Sequence, residues 1–271
     1  MSLWGCAPAY PFIAVFRRRS MNTSAFCLKY KELISVCSDS LTMFCCTGAS
    51  ILIRGRFMIL GIVNQKGGVG RTTIAINLAA CFSRAGARVL LVDADPQRSA
   101  LSWAGTRDDE PPFDVKGNAE PTLHREMPAL RRNYDIVVID GASRLDHATR
   151  SLIMASDLVL VPVQPSPYDI WATANTVELI RDGRKYNNKL RAAFVVNRRI
   201  TNTVIGRDFI MALDAFPDMP ALPTPMMQRV AYVETAAAGL TVIEGAPRSE
   251  ASREIGQLAE QVILQSRELA A

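Results

Sequence analysis

Eight consecutive residues, Lys66-Gly67-Gly68-Val69-Gly70-Arg71-Thr72-Thr73, carry the clearest chemistry in the chain. Glycines let successive backbone N–H groups curl toward one centre, where they meet phosphate oxygens. A helix starting in the same turn adds its positive dipole end, and a Thr hydroxyl reaches a divalent cation. Two acidic segments follow apolar runs: Asp93-Ala94-Asp95-Pro96-Gln97 ends one, and Asp140 ends Ile136-Val137-Val138-Ile139. Ligands of an open parallel sheet bind at the carboxyl ends of its strands, so these carboxylates belong at the edge that holds the glycine turn. Alone, a Gly-rich turn or an Asp after a strand is an ordinary turn or helix cap. Order and spacing together specify phosphate chemistry.

The strict P-loop spacing fails at two places, with Gln65 where the first glycine belongs and Arg71 where the lysine belongs. The variant pattern K-G-G-x-G-K-T-T matches everywhere except Arg71. On these residues, with Asp93, Asp95 and Asp140, the sequence resembles the deviant Walker A ATPases of the ParA and MinD group. The resemblance covers about residues 58 to 265 and is nearest to the small ParF-like plasmid partition ATPases. Asp140-Gly141-Ala142 supports that placement. Pro162 to Asp169, with Pro165 at its centre, resembles the family's nucleotide-proximal loop, and Asn197-Arg198-Arg199-Ile200 the segment beside the base.

The resemblance implies an ATPase with ATP and Mg²⁺ as cofactors. Gly67, Gly68, Val69, Gly70, Arg71, Thr72 and Thr73 would wrap the phosphates, with Pro165, Asn197 and Arg198 near the rest of the nucleotide. Thr72 would ligate Mg²⁺, Asp140 would support it through water, and Asp93 would lie close to the metal shell. Lys66 would reach across a homodimer to the partner's nucleotide, and Asp95 would orient the attacking water. Phosphoryl transfer needs mostly positioning and charge neutralisation, which this set supplies. Arg71 keeps the charge of the missing lysine but presents a wide planar fork, which implies slow turnover. The family role is DNA segregation: an ATP-bound dimer on non-specific DNA, reset by a centromere-binding adaptor protein. Arg229, Arg248 and Arg253 are the candidate DNA contacts.

Positioning this site requires an α/β fold with a mostly parallel, doubly wound sheet. Strands are expected at Met58–Asn64, Arg88–Asp93, Asp135–Asp140, Leu158–Val163 and Leu190–Asn197. Helices are expected at Gly70–Arg84, Leu123–Arg132, Leu145–Ser156, Tyr168–Tyr186, Val204–Phe216, Met226–Ala238 and Ser249–Leu269. Pro111-Pro112, Pro162 to Pro167 and Pro217 to Pro225 mark loops. Trp103 and Trp171 read as packing anchors, and His124 and His147 as surface residues with no metal-ligand spacing.

Composition breaks at Met58. Residues 1–57 hold seven of the 31 basic and two of the 26 acidic residues, so the remaining 24 of each balance and the net +5 belongs to the extension. Five of six cysteines fall there as well, with no CxxC pair. We read 1–57 as a disordered arm or a mis-assigned start, and 58–271 as the ATPase domain. With no secretory pattern and no membrane-length apolar run, the expected location is cytoplasmic, with no membrane partner. Alternatives are a MinD-like positioning ATPase, for which Gln265 to Ala271 lacks a basic amphipathic face, and a non-hydrolysing regulator, for which Arg71 speaks. An iron–sulfur ATPase would need a second cysteine beside Cys81.

Overall fold

The structure is a computed structural model that describes residues 57–144, 147–201 and 203–267, together with Met43–Phe44 and Ser50–Ile51. All of these lie in one compact unit, residues 41–271. The reading of 1–57 as an extension falls almost wholly outside the described residues. Within that range, β1 (Met43–Phe44) pairs antiparallel with β2 (Ser50–Ile51).

The main sheet comprises β3 (Met58–Ile62), β4 (Val89–Asp93), β5 (Asp114–Gly117), β6 (Ile136–Asp140), β7 (Leu158–Val163) and β8 (Arg191–Val196). Its order is β5-β4-β6-β3-β7-β8, and every pair is parallel. Around it lie α1 (Arg71–Arg84), α2 (Ser99–Gly105), α3 (Leu123–Leu130), α4 (His147–Ala155), α5 (Pro167–Arg184), α6 (Val204–Leu213), α7 (Val230–Ala237), α8 (Val242–Gly245) and α9 (Glu250–Arg267).

Alternation along the buried strands divides the helices between two faces. Leu60, Ile62, Leu91, Val138 and Val195 join one core with Ile74, Leu78 and Phe82 of α1 and Ile255, Leu258 and Val262 of α9. On the other face Gly61 admits α4 closely: a Cβ there would meet Ser156 Oγ at 2.5 Å and Leu152 Cδ2 at 2.6 Å. Strand β3 is thus buried on both sides, and its carboxyl end opens between β6 and β7, where the chain switches its direction of travel across the sheet.

The five expected strands all form, each with nearly the expected bounds, and after Met58 three elements escaped the sequence, as β1 and β2 did before it. Edge strand β5, Asp-Val-Lys-Gly, is mostly exposed and carries no apolar run. Helices α2 and α8 are only seven and four residues long, and α8 is set by a Thr241–Glu244 capping box. Helix α7 starts at Val230, not Met226, because Met226 and Met227 extend along the end of β8: Met226 N donates to Val196 O, and Arg199 N to Met226 O. Pro162 lies inside β7, not in a loop, opposite Val195.

Trp103 is the anchor expected, buried and stacked on Phe113 with centroids 5.8 Å apart. Trp171 is not: it is 64% exposed and meets only the edge of exposed Tyr168 among ring contacts. Its position near the start of α5 places it on the solvent face of that helix. Among the described residues no helix is long and apolar enough to cross a membrane.

All six main-sheet strands fall between Met58 and Val196. A chain beginning at Met58 is therefore expected to unfold cooperatively, with a melting temperature within a few degrees of the full chain's, roughly the shift of 1 kcal/mol. Circular dichroism melts of both chains test this, and loss of the cooperative transition would assign the preceding residues to the fold.

Candidate functional site

The glycine turn leaves β3 and enters α1 with the geometry a phosphate cradle requires. Gly68 and Gly70 hold left-handed backbone, φ 77° and 91°, the region that glycine alone adopts without strain. A Cβ at Gly67 or Gly68 would meet nothing within 4 Å, so the turn presents open space. At Gly70 the opposite holds, because a Cβ would press on Asn197 Nδ2 at 2.3 Å. Asn197 uses that amide to donate to Val69 O at 2.7 Å, so it braces the loop from the end of β8. Gln164 braces it from the end of β7, donating to Gly68 O at 2.9 Å. Asn64 fixes the loop's entry, donating to Pro162 O and accepting from Lys66 N.

The acidic residues differ sharply in their surroundings. Asp140 is fully buried, and neither carboxylate oxygen has a hydrogen-bond partner. Burial pushes its pKa up to about 7; Thr72 and Arg71 oppose the rise, while Asp93 and Asp95 add to it. A buried carboxylate that no main-chain N–H satisfies, with the Thr72 hydroxyl near it and a cradle of backbone N–H groups beside it, suits a hard divalent cation carried in with phosphates. Asp93 is committed elsewhere. Its Oδ2 accepts from Ala100 N and Leu101 N at 2.9 and 3.0 Å, and its Oδ1 from Asp95 N. It serves as the cap of α2, which speaks against direct metal ligation. Asp95 is half-buried, with Oδ1 accepting from Gln97 N and Oδ2 3.7 Å from Arg71 Nη2.

Two cations complete the site. Lys66 Nζ lies 2.5 Å from Oδ2 of Asp169, a residue only 1% exposed at the start of α5. Arg71 is 9% exposed, and its guanidinium donates to Gly141 O, Asn64 O and Lys66 O at 2.7–2.8 Å. Burial draws its pKa below the usual guanidinium value, against the pull of Asp140 and Asp95. Among the described residues no group of three or more His, Cys, Asp or Glu is arranged to hold a metal.

The sequence profile of the CobQ/CobB/MinD/ParA nucleotide binding domain matches residues 60–242, more than half of the chain and all of this cradle. The chain belongs to that family. Over 208 residues it is 35% identical to maintenance of carboxysome distribution protein A of Halothiobacillus neapolitanus, covering 75% of this chain and 95% of the relative. Over 252 residues it is 32% identical to the chromosome-partitioning ATPase Soj of Thermus thermophilus, covering 80% and 100%. Among solved structures it superposes on the septum site-determining protein MinD of Pyrococcus horikoshii, complexed with Mg-ADP, with a TM-score of 0.64. That match has 20% identity and covers 79% of this chain and 99% of the other, a likeness of fold.

In this ParA/MinD-type domain Lys66 to Thr73, Asp95, Asp140 and Asn197 lie together at the carboxyl ends of the strands. Asn197 braces the loop directly, while the following Arg198 is exposed at φ 50°. Pro165 is half-buried in the turn between β7 and α5. Of the candidate DNA contacts, Arg229 is bound to Glu254 through Nε and Nη2, and Arg253 pairs with Glu250 on the exposed face of α9. Arg184 and Lys185 likewise pair, with Asp218 and Asp182. His147 is exposed, but His124 is half-buried against Ser151 Oγ.

In the sequence Asn64 and Gln164 had no role beyond a strand end and a loop, Gly141 served only to place the chain beside the small partition ATPases, and Asp169 marked only the end of a loop. Asn64 carried a usable signal, a short amide two residues before a lysine at a strand end, the spacing of an Asx turn. Gly141 contributes only a carbonyl, which no side-chain pattern reveals.

Proposed function

We propose that this protein is a nucleotide-switched, DNA-segregating ATPase that hydrolyses ATP slowly. In this reading the ATP-bound form is a homodimer on non-specific DNA, and a centromere-binding adaptor stimulates its turnover, in the cytoplasm. The observation that carries it is the orphaned Asp140 carboxylate beside Thr72 and the open glycine cradle, which suits Mg²⁺ and a nucleoside triphosphate. Its 32% identity along the whole of a chromosome-partitioning ATPase supports the cellular role.

Bound Mg²⁺ would supply charge neutralisation to the phosphates. Thr72 and Asp140 would hold it, the latter through water, and backbone N–H groups of residues 67–73 would orient the nucleotide. Asp95, half-buried with its Oδ2 3.7 Å from Arg71 Nη2, would orient the attacking water. Lys66, released from Asp169, would bring its ammonium to the partner's nucleotide.

A second reading, positioning of a protein cargo instead of a replicon, is favoured by the 35% identity to a carboxysome distribution protein. It uses the same site and differs only in the adaptor.

Turnover of Mg-ATP with DNA tests the shared chemistry. Asp95→Ala is expected to lower turnover by about a hundredfold while changing ATP affinity only a few-fold, because water positioning acts mainly in the transition state. Wild-type turnover equal to that of Asp95→Ala, with affinity intact, would convert the assignment to a non-hydrolysing regulator.

A further inference from the structure

Arg71 stands where a P-loop presents a lysine to phosphate, yet its donors are directed elsewhere. Nε donates to Gly141 O at 2.8 Å, and Nη1 to Asn64 O at 2.7 Å and Lys66 O at 2.8 Å. Nη2 faces Asp95 Oδ2 at 3.7 Å. Of the five guanidinium N–H groups, three are therefore fixed on main-chain carbonyls, and only Nη2 has capacity left for another acceptor.

The three carbonyls come from separate parts of the site. Asn64 and Lys66 flank the loop's entry, and Gly141 follows Asp140 at the end of β6. A planar fork spans them in fixed directions. A lysine ammonium offers three donors from a single point at the end of a flexible stem, so it cannot reproduce that span. Gly141 is itself tied to the sheet, its N–H donating to Ile62 O at 3.0 Å, and a Cβ there would strike that same oxygen at 2.7 Å. The bridge therefore runs from β3 through the loop to β6 with no slack at its far end.

We propose that Arg71 is a positioning residue that clamps the phosphate loop to the segment after Asp140 through main-chain carbonyls, and is not the phosphate ligand its position in the motif suggests. This rests on the nucleotide-binding reading above. The loop's shape is then held by the protein's own charge, and binding depends on how fully that shape is populated.

Amide hydrogen exchange in nucleotide-free protein, combined with ADP titration, tests the clamp. In Arg71→Ala, exchange across residues 65–73 and 141–144 is expected to quicken about tenfold or more, with a comparable loss of ADP affinity. Arg71→Lys should show the same faster exchange. Guanidinium ion at non-denaturing concentration should restore protection and affinity to Arg71→Ala, and methylammonium at equal ionic strength should restore neither, a distinction that packing alone would not produce. Wild-type exchange in Arg71→Lys, or equal rescue by both cations, would overturn the clamp and return Arg71 to phosphate binding. Should Arg71→Ala fail to fold, Arg71→Lys and Arg71→Gln carry the exchange comparison. Wild-type protein that binds neither ADP nor ATP would sink the nucleotide reading, while exchange in the nucleotide-free variants would still judge the clamp.

Discussion

Lys66→Ala is expected to abolish ATP-dependent dimerisation and stimulated hydrolysis while leaving monomer nucleotide binding within a few-fold of wild type. Within one chain the ammonium is held by Asp169 at 2.5 Å, while Lys66 N is tied to Asn64 Oδ1. Reaching a partner's nucleotide means leaving a carboxylate whose side chain is fully buried and whose Oδ1 has no hydrogen-bond partner. A buried carboxylate that loses its cation is costly, of the order of 3 kcal/mol or more. That penalty opposes dimerisation until contacts to a second nucleotide offset it. Asp169→Asn removes the cis attraction and should move the other way, raising the dimer fraction at limiting ATP by about tenfold, the equivalent of 1.4 kcal/mol. Light scattering with ATP reads both variants. A normal ATP-bound dimer in Lys66→Ala would remove the trans role of this lysine.

The parts of this site that sequence reveals are those whose residue type is dictated by backbone shape or by charge. Gly68 and Gly70 must be glycine for their left-handed φ, and Asp140 ends an unmistakable apolar strand, so cradle and carboxylate edge were both legible. The same logic explains the parallel sheet, whose strands other than β5 are buried and read as continuous apolar runs. Partner choice is what a linear pattern withholds. Asp93 and Asp140 look alike in sequence, each closing a strand, but α2 starts close enough to Asp93 for Ala100 and Leu101 to consume its carboxylate, whereas no main-chain N–H reaches Asp140, whose neighbours are the Thr72 hydroxyl and Arg71. Arg229 meets Glu254, 25 residues away in the chain, only in the fold, whereas the Glu250–Arg253 pair at i,i+3 was open to a reading of the sequence. Arg71 departs from the motif, and the reason lies in three carbonyl oxygens, which every residue type carries.

Asp140 should make the protein's stability fall as pH rises from about 4 to 7. Its carboxyl titrates near 7 in the fold, against an ordinary value of 3.8, because burial disfavours the charged form. Between those values the folded chain retains a proton that the unfolded chain has lost, so the unfolded state binds fewer protons and each pH step weakens folding. The shift of roughly three units sets an upper bound of about 4 kcal/mol, complete once pH exceeds the folded value. Asp140→Asn cannot ionise, so its urea unfolding free energy should lack this decline, although the buried amide carries its own unsatisfied groups and lowers stability at pH 5. The comparison to make is therefore the slope of unfolding free energy between pH 5 and 8, measured without nucleotide. Mg-ADP should recover stability for the wild type most strongly above pH 7, where the carboxylate is charged and suited to a divalent cation, and much less for Asp140→Asn. Parallel slopes for the two proteins would mean that Asp140 is ionised or paired throughout, and would withdraw both the pH dependence and the main support for a metal beside Thr72.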